Sequence, residues 1–199
     1  VLENRVEILA LALAARQAGL YVAVLSTHLT PAEVAYIVQD CGARLVVASH
    51  KTLPQLAESQ AAHPLPCWTV DDATPQALSL QAALQALQGP TADFQDRPLG
   101  RDLLYSSGTT GRPKGVLKPL QPSHLRGQTD PEALGTARLM GMDEHTVYLS
   151  PAPLYHAAPL RYTMRVLELG GQAVIMERFD AETALALIER HRVTHSQWV

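Results

Sequence analysis

The sequence predicts an α/β fold in which mostly parallel sheets are flanked by helices. Short segments of β-branched and apolar residues, such as 44–49 and 172–176, alternate along the 199-residue chain with longer segments of helical character. Parallel strands need long crossover connections, and the predicted helices supply them. Gly19 and Gly42 follow predicted helices and mark their ends.

The order of elements follows from apolar periodicity and from these boundary residues. The predicted elements are a helix after Asn4 that ends at Gly19, strand 21–25, a helix from Thr30 to Gly42, strand 44–49, helix 52–60, strand 67–70, a helix from Thr74 to about Leu87, strand 103–105, strand 146–149, a mostly helical stretch over 154–169, strand 172–176 and a last helix from Asp180 to His191.

Three helix starts carry specific signals. Asn4 is the expected cap of the first helix, which is apolar on almost every side and should therefore be buried on every side. Thr30 and Glu33 have the spacing of a capping box, with Pro31 at the first helical position. Asp180 is the expected cap of the last helix.

A polar, proline-bearing segment at 89–98 predicts a connector between two lobes, 1–92 and 93–199. The apolar first helix and the strand-like residues 193–199 predict that the chain is an internal piece of a longer polypeptide, truncated at both lobes. Sheet edges and apolar faces left uncovered by such cuts favour self-association into a homo-oligomer.

Composition excludes several classes of protein. The chain is 47% hydrophobic and 18% charged, which is typical of a globular protein rather than a disordered tail. A net charge of −3 argues against a nucleic-acid partner. Cys41 and Cys67 form no metal-ligand or disulfide framework. No signal peptide or apolar run of spanning length is visible, so we expect a cytoplasmic protein without a membrane span.

The most informative segment is residues 105–115, YSSGTTGRPKG. Its glycines allow the backbone to turn and to approach a ligand closely, and successive N–H groups in such turns bind anions. Hydroxyls and a lysine complete a phosphate-binding set, whose members are Ser106, Ser107, Gly108, Thr109, Thr110, Gly111 and Lys114. It is not a Walker A loop, because Lys114 is followed by Gly115 instead of Ser or Thr.

Local charge supports an anion site. From residue 97 to 126 there are six basic residues and one acidic residue, a net charge of +5 in a chain whose total is −3. A basic region on an acidic body attracts polyanions such as ATP and CoA.

SSGTTGRPKG resembles the signature of the adenylate-forming, AMP-binding superfamily, which includes acyl-CoA synthetases, luciferases and the adenylation domains of peptide synthetases. Residues 150–157, SPAPLYHA, are similar to the family's downstream P-L-x-H motif, and residues 33–49 to an early family segment. The three segments occur in the family's order and cover nearly the whole chain. The threonine at position 109 is similar to the residue that acyl-CoA synthetases of the fatty-acid ligase type carry at this position of the motif.

The resemblance implies a ligase that joins a fatty or aromatic carboxylic acid to ATP and then transfers the acyl group to CoA. It places Ser107 to Lys114 on the β- and γ-phosphates and Ser106 beside Mg²⁺, and it makes Lys114 and His156 the catalytic candidates. His156 would border the acyl and adenylate pocket.

Two alternatives remain open. One is an adenylation domain that loads a carrier protein, and the other is a truncated, non-catalytic nucleotide-binding remnant. The family's adenine-binding, ribose-binding and C-terminal lysine segments are not present in these 199 residues. We therefore expect the isolated chain to be catalytically silent.

Overall fold

The computed structural model describes residues 1–87, 89, 93–106, 112–128 and 131–198. Along these residues the helices are α1 (Val6–Ala18), α2 (Pro31–Asp40), α3 (Ala57–Ala62), α4 (Leu80–Ala86), α5 (Pro131–Leu139), α6 (Ala157–Glu168) and α7 (Ala181–His191). The strands are β1 (Tyr21–Val22), β2 (Val46–Ala48), β3 (Cys67–Thr69), β4 (Leu78–Ser79), β5 (Arg101–Asp102), β6 (Leu104–Ser106), β7 (Lys114–Val116), β8 (Val147–Ser150), β9 (Gln172–Ile175) and β10 (His195–Ser196). Most strand pairs are parallel, which confirms the predicted α/β class.

Two compact units divide the chain, and each is assembled from three segments. The first unit comprises Val1–Glu3, Ala23–Asp93 and Leu103–Lys118. The second unit comprises Asn4–Val22, Phe94–Asp102 and Pro119–Val199. These units interleave along the sequence, whereas the predicted lobes 1–92 and 93–199 are continuous. The lobe division stays a prediction.

A parallel sheet of order β2-β3-β4 forms the centre of the first unit. Helix α2 buries Val34, Ile37 and Val38 in the same apolar core as strand β2. The predicted capping box begins this helix: Thr30 Oγ1 accepts from the Glu33 N–H at 3.3 Å, and Glu33 Oε2 accepts from the Thr30 N–H at 2.8 Å. Helix α2 is therefore fixed both at its N-terminus and along its buried face.

The first unit also contains an antiparallel pair, β6 and β7. Tyr105 lies opposite Gly115, and Ser106 lies opposite Lys114. The two strands join the ends of the glycine-rich segment, so the pair sets where that segment leaves and rejoins the regular structure.

The second unit contains a parallel sheet of order β10-β8-β9 and the short parallel pair β1–β5. Tyr148 and Leu149 of β8 lie in separate apolar clusters, with Val166 of α6 in one and Ala184 of α7 in the other. Strand β8 is thus buried on both faces, as expected for the central strand of a parallel sheet.

The prediction that Asn4 caps the first helix is wrong. Arg5 occupies the cap position of α1 in an extended conformation. The Asn4 side chain instead donates to the carbonyls of Ala152 at 3.0 Å and Met176 at 3.1 Å, and its Oδ1 accepts from the Leu154 N–H at 2.7 Å. Asn4 joins the start of the second unit to the segment that precedes α6.

Burial of α1 on every side is also wrong. Ile8, Leu9 and Ala12 are buried, whereas Val6 is 65% exposed. Its end is as predicted, because Gly19 adopts φ +75° and its N–H caps the last turn. The described residues therefore bury only some of the apolar side chains of α1.

The helix predicted from Thr74 begins later. Thr74 Oγ1 accepts from the Gln76 and Ala77 N–H groups, which closes a turn, and Leu78 then pairs with β3. Helix α4 starts only after Ser79, whose Oγ accepts from the Ala82 N–H at 3.4 Å. Threonine followed by proline suits a turn as well as a helix start, and strand pairing decides between them here.

Candidate functional site

The β6–β7 pair brings together the two described ends of the predicted phosphate-binding set. Ser106 and Lys114 are opposed residues of an antiparallel pair, whose side chains project on the same face. Both residues are exposed, and the Ser106 hydroxyl lies 3.5 Å from the Lys114 carbonyl oxygen. A hydroxyl donor and a cation on one exposed face can bind an anion together.

The other predicted members of the set lie outside the described residues. These are Ser107, Gly108, Thr109, Thr110 and Gly111. Their assignment to the phosphates stays a prediction, as does the assignment of Ser106 and Lys114.

Tyr105 fixes the entry to this segment, a role that sequence reasoning missed. Its hydroxyl donates to Asp40 Oδ2 at 2.6 Å, and burial together with this hydrogen bond raises the pKa of Tyr105 above its ordinary value. Its ring lies against Gly115, where a Cβ would come within 3.0 Å of the Tyr105 Cζ atom. A side chain at position 115 would therefore press on the Tyr105 ring, which would have to shift by a few tenths of an ångström.

Arg112 marks the exit from the segment. Its guanidinium carbon lies 5.2 Å from the centre of the Tyr36 ring, within the range of a cation–π contact. Tyr105 and Asp40 both fall inside segments that the sequence analysis singled out. Nothing in the sequence indicated that they pair, because they are 65 residues apart.

The basic residues counted between 97 and 126 belong to different units. Arg112, Lys114 and Lys118 lie in the first unit. In the second unit, Arg126 donates to the carbonyls of Gln17 and Arg97, each at 2.9 Å. Part of the predicted +5 region is therefore engaged in structural hydrogen bonds.

His156 lies in the second unit as the residue that caps helix α6. Its backbone is extended, with φ −85° and ψ 149°, and its exposed ring is tilted against Tyr155 at a centroid distance of 4.3 Å. The Asn4 hydrogen bonds to Ala152 and Leu154 hold the segment immediately before it. His156 is thus presented at the end of a well-anchored turn, and its predicted pocket role is not tested by these contacts.

The described residues contain no group of three His, Cys, Asp or Glu side chains suited to a metal ion. Magnesium that arrives with a nucleotide takes most of its ligands from phosphate and water and needs few from protein. The exposed hydroxyl of Ser106 is compatible with one such contact. Among the same residues, no helix has both the length and the apolar character needed to cross a membrane.

Comparison with known sequences gives a consistent result. A family model described as "AMP-binding enzyme" matches residues 1–199. The 2-succinylbenzoate–CoA ligase of Bacillus licheniformis is 27% identical over 196 residues, which is 98% of this chain and 37% of that protein.

Comparison with solved structures supports the fold. A putative long-chain-fatty-acid CoA ligase from Rhodopseudomonas palustris superposes with a TM-score of 0.82 at 19% identity, over 100% of this chain and 49% of the other. The o-succinylbenzoate CoA synthetase of Bacillus subtilis, solved with ATP and a magnesium ion, gives a TM-score of 0.72 at 23% identity, over 98% and 48%. The chain thus spans less than half the length of the proteins it matches.

Proposed function

Because the chain belongs to the AMP-binding enzyme family, we propose that it is a segment of an ATP-dependent carboxylate–CoA ligase that supplies the phosphate-binding loop and part of the acyl pocket. The observation that carries the proposal is the β6–β7 pair, which presents Ser106 and Lys114 on one face at the two ends of the glycine-rich loop. By the resemblance to this family, residues 107–114 of this loop would hold the nucleotide phosphates.

In the proposed reaction the substrate carboxylate is itself the nucleophile. Its oxygen attacks the α-phosphorus of ATP, the bond to the β-phosphate oxygen breaks, and pyrophosphate leaves with the electron pair. The thiol sulfur of CoA then attacks the acyl carbonyl, the thiol proton is lost to solvent, and AMP departs. The protein therefore has to orient the reactants and stabilise charge, and it needs no nucleophile of its own.

The residues of this chain take two roles in that scheme. By the resemblance to the family, residues 107–111 would hold the β- and γ-phosphates, and the Lys114 ammonium would balance charge on the departing pyrophosphate. Ser106 would contact a Mg²⁺ ion, which would supply charge neutralisation when it arrives with ATP. His156 borders the acyl group and its adenylate.

The acid is proposed to be fatty or aromatic, with CoA as the acyl acceptor and fatty-acid metabolism as one setting. The names of the relatives support this range, because they include a succinylbenzoate ligase and a putative long-chain-fatty-acid ligase. We also place the protein in the cytoplasm, which cell fractionation tests directly. We propose a homo-oligomer because uncovered sheet edges favour self-association. Light scattering measures the molar mass in solution and so tests this proposal.

The test measures ATP–pyrophosphate exchange by the intact protein that contains this chain, with palmitate and benzoate as the acids. Lys114→Ala should reduce the exchange rate about 100-fold, the loss typical of one charge-stabilising group. Lys118→Ala is the matched control, because it removes the same charge from an exposed position beyond β7. Equal effects of the two substitutions would refute the role of Lys114.

The 199-residue chain alone should show no exchange with either acid. Exchange by the isolated chain would contradict the view that the adenine, ribose and lysine segments are needed. Absence of exchange in the intact protein, with any acid and with a carrier protein, would overturn the proposed function itself.

A further inference from the structure

The described residues on either side of 107–111, Tyr105 before Ser106 and Arg112 before Lys114, contact one helix of the first unit. Tyr105, immediately before Ser106, reaches Asp40, and Arg112, immediately after residue 111, reaches Tyr36. Tyr36 and Asp40 are four residues apart on α2, so they lie on the same face of the helix, one turn from each other. One helical face thus holds the entry and the exit of the loop.

The contact at the entry is short and specific. The neutral Tyr105 hydroxyl donates to the Asp40 carboxylate at 2.6 Å, the short distance typical of a hydrogen bond to a charged acceptor. Gly115, which pairs with Tyr105 across β6 and β7, leaves the ring the space that a side chain at position 115 would narrow. Tyr105 also packs against the core that contains Val34 and Ile37 of α2.

The contact of Arg112 with Tyr36 is less directional than the hydrogen bond of Tyr105. The Arg112 guanidinium lies over the Tyr36 ring at 5.2 Å, and Arg112 itself is exposed. A cation–π contact at an exposed site tolerates small shifts and still limits how far the chain can move. Arg112 is separated from Lys114 only by Pro113, whose fixed φ transmits the position of one residue to the next.

Helix α2 is suited to be the fixed partner in both contacts. Its N-terminus carries a complete capping box, and Val34, Ile37 and Val38 anchor its opposite face in the core. Tyr105 precedes Ser106, and Arg112 is followed by Pro113 and Lys114, so the two contacts hold the backbone next to both Ser106 and Lys114. Groups that are held in position before a ligand arrives lose less conformational freedom on binding, which strengthens binding.

We infer that the face of α2 that carries Tyr36 and Asp40 is a clamp for Ser106 and Lys114, the described ends of the phosphate loop, in which Asp40 and Tyr36 are positioning residues that hold Tyr105 and Arg112 and so set the affinity for ATP. The inference rests on the proposed function and assigns that site two residues that contact no substrate. The clamp acts before chemistry, so it changes the binding of ATP more than the rate of adenylation at saturating ATP.

The test uses the intact protein and measures ATP binding with Mg²⁺ by calorimetry, without any acid. Asp40→Ala and Tyr36→Leu should each weaken ATP binding about five- to tenfold, the equivalent of one such contact. Asp40→Asn keeps an acceptor for Tyr105, and Tyr36→Phe keeps the ring under Arg112. These two conservative variants should bind within about twofold of the wild type.

Two further variants separate the clamp from a general effect on α2. Gln39→Ala changes an exposed residue between the two contacts and should leave ATP affinity unchanged. Tyr105→Phe removes the same hydrogen bond as Asp40→Ala, so the double variant should bind ATP no more weakly than either single variant. In exchange assays, KM for ATP should rise in the single variants while kcat stays within about twofold.

Each outcome is decisive. If the wild type binds ATP and the Asp40→Ala and Tyr36→Leu variants bind it equally well, the clamp is refuted while the proposed function stands. Weakened binding that the Asn and Phe variants do not restore also refutes it. A wild type that neither binds ATP nor catalyses exchange removes the proposed function instead.

Discussion

Replacement of Asn4 should destabilise the second unit strongly, although Asn4 is only half-buried and lies near one end of the chain. Its side chain makes three hydrogen bonds, to Ala152, Leu154 and Met176. Leu154 is fully buried, so its N–H cannot turn to water once Asn4 Oδ1 is lost. At roughly 1 kcal/mol for each bond, Asn4→Ala should cost about 3 kcal/mol.

Asn4→Asp isolates the contribution of the Asn4 side-chain N–H groups, which donate to Ala152 and Met176. The new side chain has the same shape and keeps the acceptor for Leu154. It places a carboxylate oxygen where the amide nitrogen faced the carbonyls of Ala152 and Met176. At neutral pH this variant should lose at least as much stability as Asn4→Ala, because two attractive contacts become repulsive.

The two tryptophans provide an assay for each unit. Trp68 belongs to the first unit and Trp198 to the second. In a Trp68→Phe background, the fluorescence of Trp198 during urea unfolding reports the second unit. The free energy of unfolding from this probe should fall by about 3 kcal/mol on Asn4→Ala.

Val6→Ala is the control, because it alters an apolar residue two positions away that is 65% exposed, and its effect should stay within about 0.5 kcal/mol. A loss below about 1 kcal/mol on Asn4→Ala would refute the reasoning. It would mean that the three hydrogen bonds only replace equivalent bonds to water.

Substitutions at three other positions test local features by urea unfolding. Thr30→Ala should cost about 1 kcal/mol through loss of the capping box, and Thr30→Ser should restore most of it. The hydrogen bond from the Thr30 N–H lowers the pKa of Glu33, so its contribution is present above the ordinary glutamate pKa and is lost as pH falls through the lowered one. Glu33→Gln should therefore flatten the acid limb of the stability profile. Gly100→Ala should cost more than about 3 kcal/mol, since its Cβ would lie 2.1 Å from the Leu20 carbonyl oxygen.

Features set by neighbouring residues were predictable from the sequence. The Thr30 capping box and the Asp180 cap follow from residues three positions apart, and both are confirmed. The Gly19 terminus is confirmed for the same reason. In each case the signal and the structure it specifies lie within one turn of helix.

Features set by distant residues were not predictable. Asn4 carries the chemistry of a cap, but its partners lie 148 to 172 residues away. The turn at Thr74 depends on Leu78 pairing with Trp68 of β3. Local propensity allows a helix cap or another structure at each of these two residues, and only the tertiary partner decides between them.

The candidate site likewise has some features set by neighbouring residues and others set by distant residues. Ser106 and Lys114 could be singled out because residue types and order in one short segment indicate phosphate chemistry. Tyr36 and Asp40 could not be linked to that segment, because their contacts with Arg112 and Tyr105 join residues that are far apart in the chain. A motif within one short segment can thus indicate candidate ligand contacts, whereas contacts between distant segments need the structure.

The pairing of Ser106 with Lys114 also limits how this part of the gene can evolve. A single-residue insertion or deletion inside β6 or β7 would shift the register of the pair by one from that point on. A shift by one turns every following side chain of the strand to the opposite face. A change of length inside either strand should therefore disturb the common face of Ser106 and Lys114 more than most substitutions there.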